Sequence, residues 1–218
     1  MPAYIAVSAE ELATLEGLEG WRLVLDALHA QFRAPSFSAA ATLTSAIADA
    51  ADAADHHPDI DLRHPGIVRV SARTHAADAV TMHDVELART ISKMAARAAA
   101  VPEPAAPQAV EICIDTMDAA RIRPFWAAVL GYRESGGALV DPLRIGPPVW
   151  FQDMSEPRSD RDRFHIDVSV PHDQAHARLA ATLSAGGVLV TDRFARSWWI
   201  VADADGNEAC ICTWQDRK

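Results

Sequence analysis

Two of the nine histidines in this chain of 218 residues are adjacent: His56 and His57 close an alanine-rich run just before Pro58. A third, His75, follows Thr74 at the end of the alternating stretch IVRVSART, and Asp84 comes soon after, where helical sequence begins. Imidazole has an ordinary pKa near neutrality, so a cluster of such rings can give up and take up protons within one catalytic cycle. A carboxyl group beside them can fix the tautomer of one ring. The chemistry such a group offers is acid–base work on a small molecule, and it needs no metal. Taken alone, His56 and His57 are explained equally well as positive charge at a helix C-terminus, where the helix dipole favours cations. Adding His75 and Asp84 makes the pair a candidate site, provided the fold brings a helix end, a strand end and a helix start to one rim.

The elements needed for that are legible in the first half. Ser8 followed by Glu11 is a capping-box pattern that opens a short helix. Residues 21–34 alternate as strand, with Trp21, Leu23 and Leu25 expected on one face and a second strand or bend before Pro35. A helix is expected from Ser36 to about Asp55, with Phe37, Ala40, Leu43, Ile47, Ala50 and Ala54 near helical spacing. Residues 67–74 alternate cleanly as a half-buried strand, and Thr81 caps a last helix with Asp84 in its first turn. The expected fold class is α+β: an α/β sandwich with helices on one face of an antiparallel sheet.

Pro102, Pro104 and Pro107 then interrupt the chain with an extended, donor-poor stretch. We expect a first domain over residues 1–98, a linker over 99–108 and a second domain over 109–218. The second half repeats itself: residues 110–133 resemble residues 164–187 at an offset of 54, each reading as strand, short turn with Asp, and amphipathic helix ending near Gly. Hairpin sequence follows each copy, which predicts paired βαβββ modules. His172 and His176, four apart, would share one face of a helix and are expected to be solvated. Cys210 and Cys212 share one strand face and read as core. Trp150, Trp198, Trp199 and Trp214 either line a flat apolar pocket or pack between modules, and Asp205-Gly206-Asn207 reads as a tight turn.

Composition narrows the function classes. A formal net charge of −10 argues against a nucleic-acid-binding surface or an anionic-membrane patch, since both need clustered Lys and Arg. Three cysteines without a CxxC pair suit reduced thiols. The N-terminus has no basic n-region and acquires acids almost at once, so a signal peptide is not expected, and no apolar run approaches a membrane span. A cytoplasmic location is expected.

His56-His57-Pro58, then IVRVSARTH, then Asp84 with the helical VELARTI together resemble the pterin-4a-carbinolamine dehydratases, over roughly residues 20–98. That resemblance implies an α+β sandwich and a homo-oligomer. It implies removal of water from a 4a-hydroxytetrahydropterin such as 4a-hydroxytetrahydrobiopterin, with no cofactor required. Carried over, His56, His57 and His75 would line the pterin pocket, with His56 and His75 as the acid–base pair and His57 positioning the leaving hydroxyl. Asp84 would fix a histidine tautomer or bind the pterin edge. The family's pattern carries an aromatic residue between HHP and TH, where this chain has His64-Pro65. The second half resembles the glyoxalase-like branch of the vicinal oxygen chelate superfamily, through DTMDAARIRPFWAAVLGY, PPVWFQ, RFHIDVSV and ADADGNEACI. Metal-binding members there use ligands from the first and last strands of each module, which implies a divalent metal at Glu111, His165 and Glu208. The fourth position falls on Pro148, which has no ligating side chain. Two further readings stand beside the dehydratase. One is a metal-dependent lyase, isomerase or dioxygenase seated in the C-terminal cup. The other is a small-molecule-binding protein without chemistry.

Overall fold

In the computed structural model, which describes residues 4–156, 165–170, 172–213 and 215–216, the Ser8–Glu11 box forms reciprocally. The Glu11 amide donates to Ser8 Oγ at 3.2 Å and the Ser8 amide to Glu11 Oε2 at 2.8 Å, opening α1 (Ala9–Thr14). The alternating run that follows is a hairpin of β1 (Trp21–Val24) and β2 (Ala27–Arg33), turning at Leu25-Asp26 with Leu25 at φ 54°. Trp21 and Leu23 share a face as expected, opposite Ala30 and Leu28, and only the placement of Leu25 on that face is corrected. Trp21 is buried, whereas Leu23 is exposed and Leu25 belongs to the turn.

The chain continues through α2 (Phe37–Ala54), β3 (Asp59–Arg63), β4 (Ile67–Ala72), α3 (Met82–Arg97) and the two-residue β5 (Val101–Pro102). The sheet order is β1-β2-β4-β3, antiparallel throughout. β5 pairs with Phe32 and Arg33, beyond the part of β2 that β1 covers. Part of the proline-rich stretch is therefore sheet edge. Glu103 strengthens the attachment by accepting from Gln31 Nε2 and Arg33 Nε, each at 2.7 Å.

One apolar core joins the helices to a single face of this sheet. Leu28, Ala30 and Phe32 of β2 and Val68, Val70 and Ala72 of β4 meet Ala40, Leu43 and Ile47 of α2 and Val85, Ala88 and Ile91 of α3. The buried stripe of α2 is Ala40, Leu43, Ile47 and Ala51. Phe37 and Ala54 are exposed, contrary to the spacing argument, because the stripe drifts off the core at both helix ends.

On the opposite face of β2, burial pushes the His29 imidazole below its ordinary value, and the nearby Arg69 guanidinium adds to the effect. The unfolded chain therefore takes up a proton at His29 at about pH 6.5, while the folded chain does so only at lower pH. Between those two values the unfolded state binds more protons, so stability falls as pH falls through that window and is fully present above it. Urea denaturation at a series of pH values should show this slope in the wild type and a flatter one in His29→Gln; equal slopes would remove His29 as the source.

The second half forms its own unit, from Val110 onward. It contains β6 (Ile112–Thr116), α4 (Ala119–Leu130), β7 (Arg133–Ser135), β8 (Ala138–Val140) and β9 (Val149–Asp153). These are followed by β10 (Ile166–Ser169), α5 (Ala175–Ser184), β11 (Val188–Thr191), β12 (Trp198–Ala202) and β13 (Glu208–Cys212). The two sheets have the same plan, β6-β9-β8-β7 and β10-β13-β12-β11, and in each the first strand runs parallel to the last. These are the paired βαβββ modules. Their core includes Phe125, Trp126, Val129, Trp199, Val201 and Ile211. Gly187 is required where α5 turns into β11, because a Cβ there would meet the Phe125 ring at 2.7 Å. His172 precedes α5 and does not share its face with His176; the His176 ring instead meets Trp199 edge-on at 5.2 Å. Trp214 lies outside the described residues. Among the described residues, no helix is long and apolar enough to cross a membrane.

Candidate functional site

The end of α2 aims His56. Asp55 adopts the left-handed conformation (φ 48°, ψ 39°), and the His56 amide returns to the Ala51 carbonyl at 3.0 Å. This closes the helix in the Schellman manner, with aspartate where glycine is usual. The reversal turns His56 towards the start of α3, while Pro58 prevents the helix from resuming.

Asp84, at the third position of α3, is completely buried. Its Oδ2 accepts from the Thr81 amide at 2.8 Å, closing a capping box, and from Thr74 Oγ1 at 2.8 Å. The hydroxyls of Thr74 and Thr81 lie 2.7 Å apart. Its Oδ1 meets His56 Nε2 at 2.7 Å. A strand end, a helix start and a helix end thus converge on one carboxyl group, in the first turn of a helix, where the dipole favours negative charge.

The other expected residues are less tightly held. His57 Nε2 lies 3.0 Å from Asp52 Oδ1 with both side chains exposed, a geometry worth little to stability. His75 is exposed at the start of the turn after β4, a turn closed by the Ala77 amide on Thr74 O and the Asp78 amide on His75 O. Among the described residues no hydrogen bond joins His75 to His56 or His57. The turn is braced from beneath, where the buried Arg73 guanidinium pairs with Asp26 and Asp78. His64-Pro65, where the aromatic residue of the dehydratase pattern is missing, forms the turn at the far end of the β3–β4 hairpin. With Asp59 opposite Ser71 at the near end, about five residues of strand, or ~17 Å, lie between that turn and His56.

One neighbour was not foreseen. The His83 ring, on the second residue of α3, lies 5.9 Å from His56 and 5.7 Å from Tyr4. The adjacent Asp84 was its only signal in the sequence, because its approach to His56 depends on how α2 ends.

In the second unit, a cavity of about 910 Å³ is lined by His165, Asp167, Trp198, Glu208, Cys210 and Cys212, among others. His165 immediately precedes β10, and Glu208 opens β13 beside it. Glu111 precedes β6 in the other sheet and is not among the lining residues; the neighbouring Pro148 offers no donor side chain. The ligand atoms that do come together belong to His165, Asp167 and Cys210, all within 4.8 Å of one another. Burial, then the Asp167 carboxylate, pushes the Cys210 thiol up to about 12. Trp198 stacks on Phe194 at 4.6 Å beside the cavity, whereas Trp199 points into the core.

Residues 6–94 match the family described as pterin 4 alpha carbinolamine dehydratase, and residues 111–212 match the glyoxalase-like domain. A protein of Nocardia farcinica named "Putative pterin-4-alpha-carbinolamine dehydratase" is 40% identical over 90 residues, 41% of this chain and 94% of that protein. One of the same name from Paracoccus denitrificans is 44% identical over 86 residues, covering 38% of this chain and 79% of its own. A solved structure from Brucella melitensis, described as a transcriptional coactivator/pterin dehydratase, is 29% identical with a TM-score of 0.39; the match covers 42% of this chain and 99% of that one.

Proposed function

Because the chain belongs, through residues 6–94, to the pterin 4 alpha carbinolamine dehydratase family, we propose that it is a hydro-lyase that removes water from a 4a-hydroxytetrahydropterin by histidine acid–base catalysis. The observation that carries this reading is the buried Asp84 carboxyl on His56 Nε2. A carboxylate there favours the proton on Nε2 and leaves Nδ1 to exchange protons with substrate. Dehydration breaks the C4a–O bond; one group delivers a proton to the departing hydroxyl while another removes one from the ring-nitrogen side. His56 and His75 are assigned these two tasks, and His57 positions the hydroxyl. Of the two roles open to Asp84, its complete burial favours holding the His56 tautomer over touching the pterin edge. His83 and Tyr4 extend an aromatic wall from His56 against which a flat heterocycle can lie.

No metal or cofactor takes part in this reaction. The family membership also supports a homo-oligomer, and exposed Leu23 and Phe37 provide apolar surface for one. The three free cysteines support a reducing, cytoplasmic setting. The purified full-length chain should accelerate dehydration of freshly generated 4a-hydroxytetrahydropterin well beyond buffer, and His56→Ala should lose about 10²–10⁴-fold of that acceleration. A wild-type rate no faster than buffer would sink the reading and leave the N-terminal unit as scaffold.

A further inference from the structure

The glyoxalase-like resemblance implies a metal held by Glu111, His165 and Glu208, yet the structure groups a different set of donors. Asp167 and Cys210 are direct register partners on the parallel strands β10 and β13. His165, two residues before Asp167, therefore projects from the same side of the sheet. Glu208 and Cys212, two residues either side of Cys210, line the same cavity. His165 Nε2 and Asp167 Oδ1 are already 3.3 Å apart. Donor atoms around a tetrahedral ion with the usual bond lengths stand roughly 3.3–3.7 Å from one another, so the grouping within 4.8 Å needs only small side-chain rotations. The imidazole and the carboxylate can make them, being about half exposed, while the buried Cys210 stays as the fixed point.

We propose that this face of β10 and β13 binds a thiophilic divalent cation of the zinc type, held by His165, Asp167 and the Cys210 sulfur, with a further coordination position open to the cavity. A nitrogen, an oxygen and a sulfur donor suit zinc or cobalt. Magnesium and calcium call for six or more oxygen donors, which this set does not supply. Three protein ligands with an open position are the arrangement of a site that admits a ligand rather than of a closed structural site. The stacked Phe194–Trp198 pair beside the opening adds an apolar wall for that ligand. The proposal is independent of the dehydratase reading, and either can fail alone.

The test is titration of the reduced, tag-free full-length protein with Co²⁺. One equivalent should bind and produce thiolate-to-cobalt charge-transfer absorption in the near ultraviolet, alongside visible ligand-field bands. Cys210→Ser should abolish the charge-transfer band, and His165→Ala and Asp167→Asn should each weaken binding by about tenfold or more, the least expected when even an outer-sphere partner is lost. Cys113→Ser and Glu111→Gln should leave the spectrum unchanged. Circular dichroism checks folding; should Cys210→Ser misfold, the half-exposed His165→Ala and Asp167→Asn decide. The proposal is overturned by absence of a saturable one-to-one complex, by a complex without charge-transfer absorption, by wild-type affinity in those two variants, or by loss of the spectrum in Glu111→Gln.

Discussion

Asp84→Asn should lower turnover of a 4a-hydroxytetrahydropterin by about 10²–10⁴-fold, the span associated with a positioned acid–base group, while costing about 1–3 kcal/mol of stability. Asparagine keeps the size of the side chain but cannot serve every partner. The Thr81 amide and the Thr74 hydroxyl donate to Oδ2, so the amide oxygen stays with them and the NH₂ faces His56. The imidazole must then accept at Nε2, which moves its proton to Nδ1 and leaves no basic nitrogen for the substrate. A purely structural role for Asp84 would lower activity in proportion to unfolded protein and leave the pH profile alone. A tautomer change should alter the pH dependence of kcat in the folded variant. Asp84→Ala removes the hub altogether, stranding the donors around a fully buried position, and should cost about 3–5 kcal/mol. Rapid-mixing kinetics with urea denaturation of both variants check these numbers; an Asp84→Asn protein with wild-type turnover would dismiss the tautomer argument.

Trp126→Ala should destabilise the C-terminal unit by about 3–5 kcal/mol, the range for deleting a large buried aromatic side chain. The ring is almost completely buried and meets Phe125 edge-on at 5.2 Å. Its Nε1 donates to Asp203 Oδ2 at 2.9 Å. Asp203 also accepts from the Asp205 and Asn207 amides at 2.9 Å and from Asn207 Nδ2 at 2.8 Å, so one carboxyl organises the turn that leads into β13. Gly206, at φ 90°, completes that turn. Trp126→Phe separates the two contributions: it retains most of the ring and loses the donor, for about 1–2 kcal/mol. Urea unfolding followed by far-ultraviolet circular dichroism measures both, and a cost for Trp126→Ala below that of Trp126→Phe would contradict the packing argument.

The parts of the candidate site that could be read beforehand are those set by local chemistry. Thr81 and Asp84 form a capping box three residues apart, and Pro58 stops a helix wherever it falls, so the rim and its carboxyl followed from short-range rules. Which of two adjacent imidazoles would meet Asp84 did not follow. That depends on Asp55 in a left-handed conformation, which aspartate tolerates but does not announce. The same blindness hid the Leu25 turn, because leucine at positive φ is uncommon and the run read as continuous strand. The grouping of Asp167 with Cys210 depends on the register of two parallel strands far apart in sequence, and no local pattern encodes it. The repeat at an offset of 54 was visible because a module's plan is written in its own periodicity. The plan does not say which side chains on it converge, so the grouping of His165 with Asp167 and Cys210 is not written in the repeat.

The duplication also provides a built-in comparison. Cys113 sits opposite Trp150 in the first sheet, in the register where Asp167 sits opposite Cys210 in the second. One copy carries a thiol and an indole at the positions where the other carries a carboxylate and a thiol. The backbone plan is thus neutral towards ligand chemistry. Glu111, Cys113 and Trp150 of the first copy occupy the positions of His165, Asp167 and Cys210 in the second, so three side chains on two neighbouring strands distinguish the copies there.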